Sequence, residues 1–295
     1  MLSARGQVVD GMEIIVVDDG SDPPFRLPLE MSQDVTVRLI RHETNSGASV
    51  ARNSGISAAR GEWIALLDSD DYWLPATLQP RLAYAKERRV SAGSAPIAYA
   101  AGFVVKKGDR MRDVRIPREP SSLKDFVSGC WFAPGSTIVF RKEVFERIGP
   151  WDSQLLRLED YDWFLRFALA GGRLRVWDEI AAITEVEGKP SIDILEATAR
   201  RLLWKYGYID SLHALPAPMV RRLRAMLDVE RASIWRYRRQ WIKTFFHLAR
   251  SFARVPRLTI HLSRFWVRKR GGYASSEHPG KAASRQRLLR SNRVW

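Results

Sequence analysis

Apolar runs alternate with polar, glycine-containing segments over the first 185 residues of the chain. Continuous β-branched and apolar runs predict strands at 13–18, 35–40, 62–67, about 97–105 and 136–141. Amphipathic spacing predicts helices at 47–60, from Pro75 to about Arg89, and at 159–171. Runs that are apolar on both faces are typical of strands covered by helices on each side. The pattern therefore predicts an α/β fold with a mixed, mainly parallel sheet flanked by helices.

After Pro190 the pattern becomes helical, and its clearest amphipathic segment is residues 241–254. Apolar residues share one side of that helix: Ile242, Phe245, Phe246, Ala249, Phe252 and Ala253. Basic residues recur on another side: Lys243, His247, Arg250 and Arg254. Such a helix either lies on an anionic membrane or packs its apolar face on the rest of the protein, and periodicity does not separate the two. We predict an α/β domain at 1–190, a basic helical extension at 191–270 and a disordered tail at 271–295.

The charge of the chain is unevenly distributed along it. The net charge is +15, and the segment from Arg221 to Trp295 holds 20 Lys and Arg against 3 Asp and Glu. The first 220 residues hold 28 basic and 30 acidic side chains. Solubility alone does not require such segregation, so the extension predicts an anionic partner. An anionic membrane surface is favoured over nucleic acid, because no recognised nucleic-acid module is present.

Composition narrows the class of protein. Hydrophobic residues make up 45% of the chain, and its 11 tryptophans favour a folded protein. The single cysteine, Cys130, excludes an intrachain disulfide and suits a reducing compartment. No signal-peptide pattern and no run of about 18 apolar residues is present. We therefore expect a cytoplasmic protein that can associate peripherally with the inner face of the plasma membrane.

Two predicted strands end in clusters of carboxylates. Asp68, Asp70 and Asp71 follow the run 63–67, and Asp18 with Asp19 follows the run at 13–17. Because ligands bind at the carboxyl ends of strands in open α/β sheets, the two clusters predict one acidic crevice. Hard oxygen ligands on a short loop suit Mg²⁺ or Mn²⁺ bound together with a diphosphate. Turn and helix-cap roles are the alternative for these aspartates.

Two further segments carry candidate chemistry. The segment 45–55 is rich in small residues, which allow a tight loop and close helix packing, and its Arg52 is positioned to face a phosphate. Glu159, Asp160 and Asp162 open a predicted helix, where acidic residues favour the helix dipole whether or not they act in catalysis. Trp131 can stack on a sugar ring, although core packing is the commoner fate of such residues.

Four motifs together resemble the family-2 glycosyltransferases with a GT-A fold: VVDDGS at 16–21, NSGASVARN at 45–53, LLDSDDYW at 66–73 and LEDYDWFLR at 158–166. The resemblance implies that Asp19 reads the nucleotide base with support from Asp18. It implies that Asp68 and Asp70 form the metal-binding DXD pair. It also implies that Asp160 is the general base.

The resemblance implies an inverting, metal-assisted transfer of a sugar from a nucleotide-sugar donor, with UDP favoured. The implied acceptor is a saccharide or a lipid-linked molecule, and the product a cell-surface or cell-wall glycan. Glu159, Asp162, Trp131 and Lys189 are supporting or acceptor-side candidates; Lys189 stands where many relatives carry a basic residue beside the diphosphate.

The chain departs from the family at its start. Residues 1–7 look like the end of the helix that should follow the family's first strand and its base-holding loop, so we expect that strand to be missing. Two other functions remain open. A truncated, non-catalytic relative would bind an anionic membrane or RNA through its basic end. A nucleotidyltransferase also uses carboxylates and Mg²⁺, but the chain lacks a glycine-rich phosphate loop with its lysine.

Overall fold

The computed structural model describes residues 2–7, 9–28, 36–89, 95–107, 110–185, 191–208 and 211–256. The strands are β1 (Glu13–Asp18), β2 (Thr36–Arg41), β3 (Trp63–Ala65), β4 (Tyr72–Trp73), β5 (Ile97–Lys107), β6 (Arg110–Arg115), β7 (Val139–Arg141) and β8 (Arg173–Glu185). The helices are α1 (Leu2–Arg5), α2 (Ala48–Ala58), α3 (Leu78–Arg89), α4 (Leu123–Val127), α5 (Lys142–Ile148), α6 (Glu159–Leu169), α7 (Ile192–Gly207), α8 (Ala217–Tyr237) and α9 (Trp241–Arg254). Lys189 and the predicted tail at 271–295 lie outside the described residues.

The strands form a small sheet and a larger one. In the small sheet β1 and β2 pair in parallel, with Asp18 opposite Arg41. The larger sheet has the order β3-β7-β5-β8-β4. Strand β6 pairs with residues 103–107 of β5, beyond the part of β5 that pairs with β7. The parallel pairings, β1 with β2 and β5 with β8, have the longest registers, and the other pairings are antiparallel. The predicted mixed α/β architecture is confirmed.

Two predicted element boundaries are wrong for identifiable reasons. The helix predicted to open at Pro75 begins at Leu78, because Ala76 adopts a positive φ of 56°. The Gln7 side-chain oxygen accepts hydrogen bonds from the backbone N–H groups of Thr77 (3.0 Å) and Leu78 (2.9 Å), which caps the helix there. The strand predicted at 136–141 begins at 139, since residues 135–137 form a 3₁₀ turn. That turn lies beside the site described below.

Strand β8 was not predicted, although its 13 residues make it the longest strand described. Apolar and polar residues do not alternate regularly along this segment, and the acidic pair Asp178 and Glu179 interrupts its apolar pattern. Pairing with β5 overrides that local signal, with register shifts around Gly102. A side chain at Gly102 would lie 2.9 Å from the Glu179 carbonyl oxygen, so glycine allows the close approach of the two strands.

The core is rich in aromatic rings contributed by α6 and its neighbours. Trp151 and Trp163 stack with ring centroids 4.6 Å apart and an angle of 6° between their planes. Phe132 meets Phe164 edge-to-face at 4.7 Å. The same core continues into α7 and α8, where Leu202, Tyr206, Leu223 and Leu227 are buried. The first helices after the predicted boundary at 190 therefore share a core with the α/β domain.

The final described helix, α9, matches the predicted segment 241–254 and packs against α8. In the described ranges, no helix combines the length and apolarity needed to cross a bilayer.

Candidate active site

The loop after β1 is organised by the Asp18 carboxylate, which has no solvent-accessible surface. It accepts hydrogen bonds from the backbone N–H groups of Ser21 and Phe25, each 3.0 Å long, and from the Arg41 guanidinium. The hydrogen bond with the Ser21 side chain is the main reason that the pKa of Asp18 falls to about 2. Asp18 is thus an ionised group that holds the loop in shape from inside.

The neighbouring Asp19 joins this loop to the start of α2. Its carboxylate accepts hydrogen bonds from the backbone N–H groups of Ser46 (3.0 Å) and Gly47 (2.6 Å), and lies 2.6 Å from His42 Nδ1. His42 Nε2 lies 2.9 Å from the Ser54 hydroxyl. Burial acts to raise the pKa of Asp19, but these hydrogen bonds outweigh it and lower the pKa. His42 was missed from the sequence, although its position directly after β2 mirrors that of Asp19 after β1.

Gly20 allows the first two motifs to fold against each other. Its φ is +75°, and a Cβ there would lie 2.6 Å from the backbone nitrogen of Asn45 and 2.7 Å from the carbonyl carbon of Thr44. Any side chain would push the loop 18–21 away from the loop 44–47.

The loop after β3 contains the predicted metal ligands and is supported from the 3₁₀ turn. The Ser136 hydroxyl accepts from the backbone N–H of Asp68 at 2.9 Å and donates to the Asp71 carboxylate at 2.6 Å. Asp71 is buried and also accepts from the Glu185 backbone N–H at 3.1 Å. Burial raises the pKa of Asp71 to about 6 despite these hydrogen bonds. Asp71 therefore shapes the loop, whereas Asp70 at its tip is exposed.

Arg52 links this loop to the start of α6. Its Nη2 donates to Asp68 Oδ1 at 2.8 Å, and its Nη1 lies 3.2 Å from both Glu159 Oε1 and Asp160 Oδ1. Burial on its own lowers the pKa of Arg52, but the charges of Asp160 and Asp68 outweigh it and raise the pKa. Three carboxylates from two distant motifs are thus held around one permanently charged guanidinium.

Asp160 lies in the first turn of α6, after Leu158 with its positive φ of 58°. Its Oδ1 accepts a hydrogen bond of 2.9 Å from the indole Nε1 of Trp151 in addition to the contact with Arg52. Burial raises the pKa of Asp160 to about 6, although the Arg52 charge acts in the opposite direction. The side chain remains 16% exposed. A buried carboxylate with a raised pKa and residual access is the form expected of a general base.

The remaining predicted residues do not join this cluster. Asp162 is fully buried and bound by Lys205 (2.7 Å), Arg166 (3.1 Å) and the Tyr206 hydroxyl (2.8 Å), so it connects α6 to α7. Trp131 is buried, and its indole Nε1 donates to the Arg118 carbonyl oxygen at 2.9 Å. Its ring packs edge-to-face on a neighbouring phenylalanine, which is the core role that the sequence left open.

A small cavity of about 90 Å³ lies between the start of α2 and the start of α6. Its lining includes Gly47 and Ser49 on one side, and Leu155, Leu156 and Glu159 on the other. The Ser49 hydroxyl is buried and has no hydrogen-bond partner in the part of the chain that is described. The cavity therefore lies directly beside the carboxylate cluster, with Ser49 in its lining.

The residues present fit a divalent cation that arrives with a diphosphate. Asp70 makes no hydrogen bond or ion pair with any described residue, whereas Asp68 is bound to Arg52. Across the described ranges, no three His, Cys, Asp or Glu side chains are grouped to hold an ion by themselves. Mg²⁺ commonly binds through one or two carboxylates, with waters and substrate phosphates completing its coordination. The two aspartates match that requirement.

Comparisons with known proteins bear on the family and the fold of the chain. The model of a family described as Glycosyl transferase family 2 matches residues 2–149, which include three of the four motifs. Succinoglycan biosynthesis protein ExoO of Rhizobium meliloti is 32% identical over 232 residues, which cover 75% of this chain and 63% of that protein. Amylovoran biosynthesis glycosyltransferase AmsB of Erwinia amylovora is 28% identical over 167 residues, covering 54% and 55% respectively. The chain spans about half to two thirds of the length of these relatives.

A solved structure of S. aureus TarS residues 1–349 in complex with UDP matches with a TM-score of 0.55. The match covers 86% of this chain and 75% of the other at 19% identity, a level that shows a common fold. The predicted GT-A fold is confirmed by this match.

Proposed function

The chain belongs to glycosyltransferase family 2, and on this premise we propose that it transfers a sugar from a nucleotide-sugar donor to a saccharide or lipid-linked acceptor, with inversion at the anomeric carbon. The product would be a cell-surface or cell-wall glycan. Support for the acceptor class comes from relatives named for amylovoran and succinoglycan biosynthesis. Support for a UDP-sugar comes from the fold match to a protein solved with UDP.

The observation that carries the proposal is the bridge made by Arg52. It brings Asp68, on the loop after β3, within reach of the same guanidinium as Asp160 on α6. Sugar transfer needs these two groups together, because one side of the reacting carbon faces the departing diphosphate and the other faces the attacking hydroxyl. A fixed cation between the two carboxylates keeps their spacing constant before the donor arrives.

Asp68 and Asp70 would hold Mg²⁺ or Mn²⁺ together with the donor diphosphate. When bound, the ion neutralises negative charge that develops on the departing nucleoside diphosphate. Asp19 would read the nucleotide base, and the buried Asp18 would support it from behind, where their bonds to neighbouring backbone N–H groups hold the loops 18–21 and 44–47 in place.

Asp160 would accept the proton of the acceptor hydroxyl. The acceptor oxygen forms its bond to the anomeric carbon while the bond from that carbon to the diphosphate oxygen breaks, so a single displacement inverts the configuration. Trp151 and Arg52 both contact Oδ1 of Asp160, which leaves Oδ2 for the incoming proton. The raised pKa makes this carboxylate a stronger base than an exposed aspartate.

The test is release of UDP from a panel of UDP-sugars, in the presence of Mn²⁺ and a bacterial lipid extract as acceptor source. We expect release with at least one donor, lost in Asp160→Asn. Calorimetry with UDP and Mn²⁺ separates binding from turnover. UDP binding without release from any donor would favour the non-catalytic alternative, and absence of UDP binding would overturn the donor assignment. Association with the inner membrane face is part of the same proposal.

A further inference from the structure

The helix α9 packs on α8 with its polar side inward. The α9 residues buried against α8 are Thr244 and Ser251, and the Ser251 hydroxyl donates to the Ala225 carbonyl oxygen at 2.9 Å. The large apolar residues point outward, with exposed fractions of 88% for Ile242 and 65% for Phe245. A helix at the surface of a soluble domain normally has the reverse arrangement.

A buried carboxylate on α8 explains this orientation. Asp228 is 1% exposed and is contacted by three α9 side chains, Arg254, Arg250 at 3.8 Å and His247 at 3.4 Å, as well as by Arg231 of α8 at 3.3 Å. Rotating α9 to bury its phenylalanines would remove all three α9 partners, including two arginines, from Asp228. A buried charge without partners is strongly destabilising, so the ion pairs fix the apolar face outward.

We propose that this exposed face binds an anionic lipid bilayer, with α9 lying in the plane of the interface. The lipid face, as we name it, consists of Trp241, Ile242, Phe245, Phe246 and Phe252, which are between 48% and 88% exposed. An anionic bilayer is thus the membrane partner of the proposed glycosyltransferase. The lipid binding itself does not depend on the proposed function, but the idea that the acceptor is held in the same membrane does.

Charge complementarity selects a lipid surface as the occupant. From Arg236 to Arg254 the sequence has six Lys and Arg and no Asp or Glu. The Arg250 guanidinium lies 5.4 Å from the centre of the Phe246 ring, so a basic group borders the lipid face, and the Lys243 ammonium lies 4.1 Å from the centre of the Trp235 ring on α8. An anionic bilayer offers hydrocarbon for the aromatic rings and negative headgroups for the basic border at the same depth.

Helix α8 contacts both α9 and the segment that precedes the proposed base. Glu230, two residues after Asp228 on α8, accepts a hydrogen bond of 2.8 Å from Arg157. Arg157 in turn precedes Glu159 and Asp160 by two and three residues. The helix that supports the lipid face therefore also contacts the chain leading into the candidate active site, which suits an acceptor that is itself held in a membrane.

The test is sedimentation of the full chain with liposomes of phosphatidylcholine alone or with 30% phosphatidylglycerol, over a series of NaCl concentrations. We expect binding that needs the anionic lipid and weakens with salt. The variant with Phe245→Ser, Phe246→Ser and Phe252→Ser should lose about 10-fold or more of this binding, since three rings no longer enter the hydrocarbon. Its Tm should stay unchanged, because those side chains are already exposed.

The matched control carries Trp204→Ser and Leu212→Ser, which remove exposed apolar groups (63% and 93%) outside α9 and should leave liposome binding intact. If the triple variant misfolds, Ile242→Ser is the second test, and it should weaken binding severalfold. Equal binding by the wild type and these variants would overturn the proposal and assign the lipid contact to the basic segment after 256.

Other occupants of the face would also be recognised. Dimerisation of the wild type by light scattering, lost in the triple variant while liposome binding persists, would show that a second copy covers the face. A fall in Tm of the triple variant with liposome binding retained would show that the chain itself covers it. UDP release from the soluble donor is measured separately on the same samples, so loss of lipid binding is distinguishable from failure of the proposed activity.

Discussion

Trp151 and Asp160 are joined by a hydrogen bond of 2.9 Å from the indole nitrogen to the carboxylate. The indole ring is fixed in turn by its stacking on Trp163 at 4.6 Å. Because an aromatic core side chain has little freedom, the carboxylate is held in one orientation by a protein group. The core and the proposed base are therefore parts of one packed unit.

The first prediction separates a catalytic role of Asp160 from a structural one. Asp160→Asn should lower kcat for UDP release by about 10²–10⁴, the usual contribution of a general base. Donor affinity, measured by calorimetry, should change little. A large fall in Tm with normal turnover per folded molecule would instead support the role of Asp160 at the helix start.

The second prediction concerns Asp162, only two residues further on. Asp162→Asn removes the negative charge that Lys205 and Arg166 share in the core, so Arg166 loses this ion pair and Lys205 keeps only the longer contact with Asp152 at 3.4 Å. The free energy of unfolding, measured by urea titration, should fall by about 3–5 kcal/mol. Turnover per folded molecule should remain near that of the wild type. Loss of turnover without loss of stability would assign Asp162 to the site.

The third prediction is a pH dependence that follows from the raised pKa of Asp160. Only the ionised carboxylate accepts a proton, so kcat should fall as the pH drops below about 6. The Trp151 hydrogen bond lowers that pKa, and Trp151→Phe removes it. In this variant the acid limb of the pH–rate profile should therefore move to higher pH.

Trp131→Phe is the matched control for this shift. It also removes a buried indole from the core, but its Nε1 donates to the Arg118 carbonyl oxygen at 2.9 Å, and its ring packs on Phe132 and not on Trp151. Its acid limb should coincide with that of the wild type. Equal shifts in both variants would mean that the limb reports core packing and not the proposed base.

The fourth prediction tests the metal site. Asp70→Ala should abolish the Mn²⁺-dependent part of UDP binding measured by calorimetry, because the loop after β3 loses its exposed ligand. Asp113→Ala, which removes another exposed carboxylate on β6, should bind UDP as the wild type does. Unchanged affinity of Asp70→Ala would remove the assignment of this loop to the metal.

Much of the fold was predictable because it is encoded locally. The run at 13–18 is the observed β1, and the amphipathic segment 241–254 is the observed α9. In both, the period of the apolar residues matches the geometry of one element. Strand β8 was missed because its pairing with β5, at a distance of about 75 residues in sequence, decides its conformation.

Within the candidate site, the sequence motifs identified Asp68, Asp70 and Asp160, because their residue types and order are a local signature. Their connection through Arg52 was not predictable, since Arg52 and Asp160 are 108 residues apart. The hydrogen bond from Trp151 to Asp160 was not predictable, because a tryptophan in an irregular segment has no period from which its contacts could be inferred. Asp71 and Ser136 are 65 residues apart in the sequence, so their hydrogen bond likewise depends on the tertiary fold.

The sequence by itself determined that α9 is amphipathic and basic, but not which of its faces turns inward. The spacing of apolar residues determines which side of a helix is apolar and which is polar. Which of these two sides is buried depends on the side chains of the element that the helix packs against. Here the opposing group is the buried Asp228 carboxylate, which pairs with Arg254 and Arg250 of α9, and a buried charge without such partners is strongly destabilising. Only the tertiary structure places Asp228 opposite α9, so only the tertiary structure decided that the apolar face is exposed.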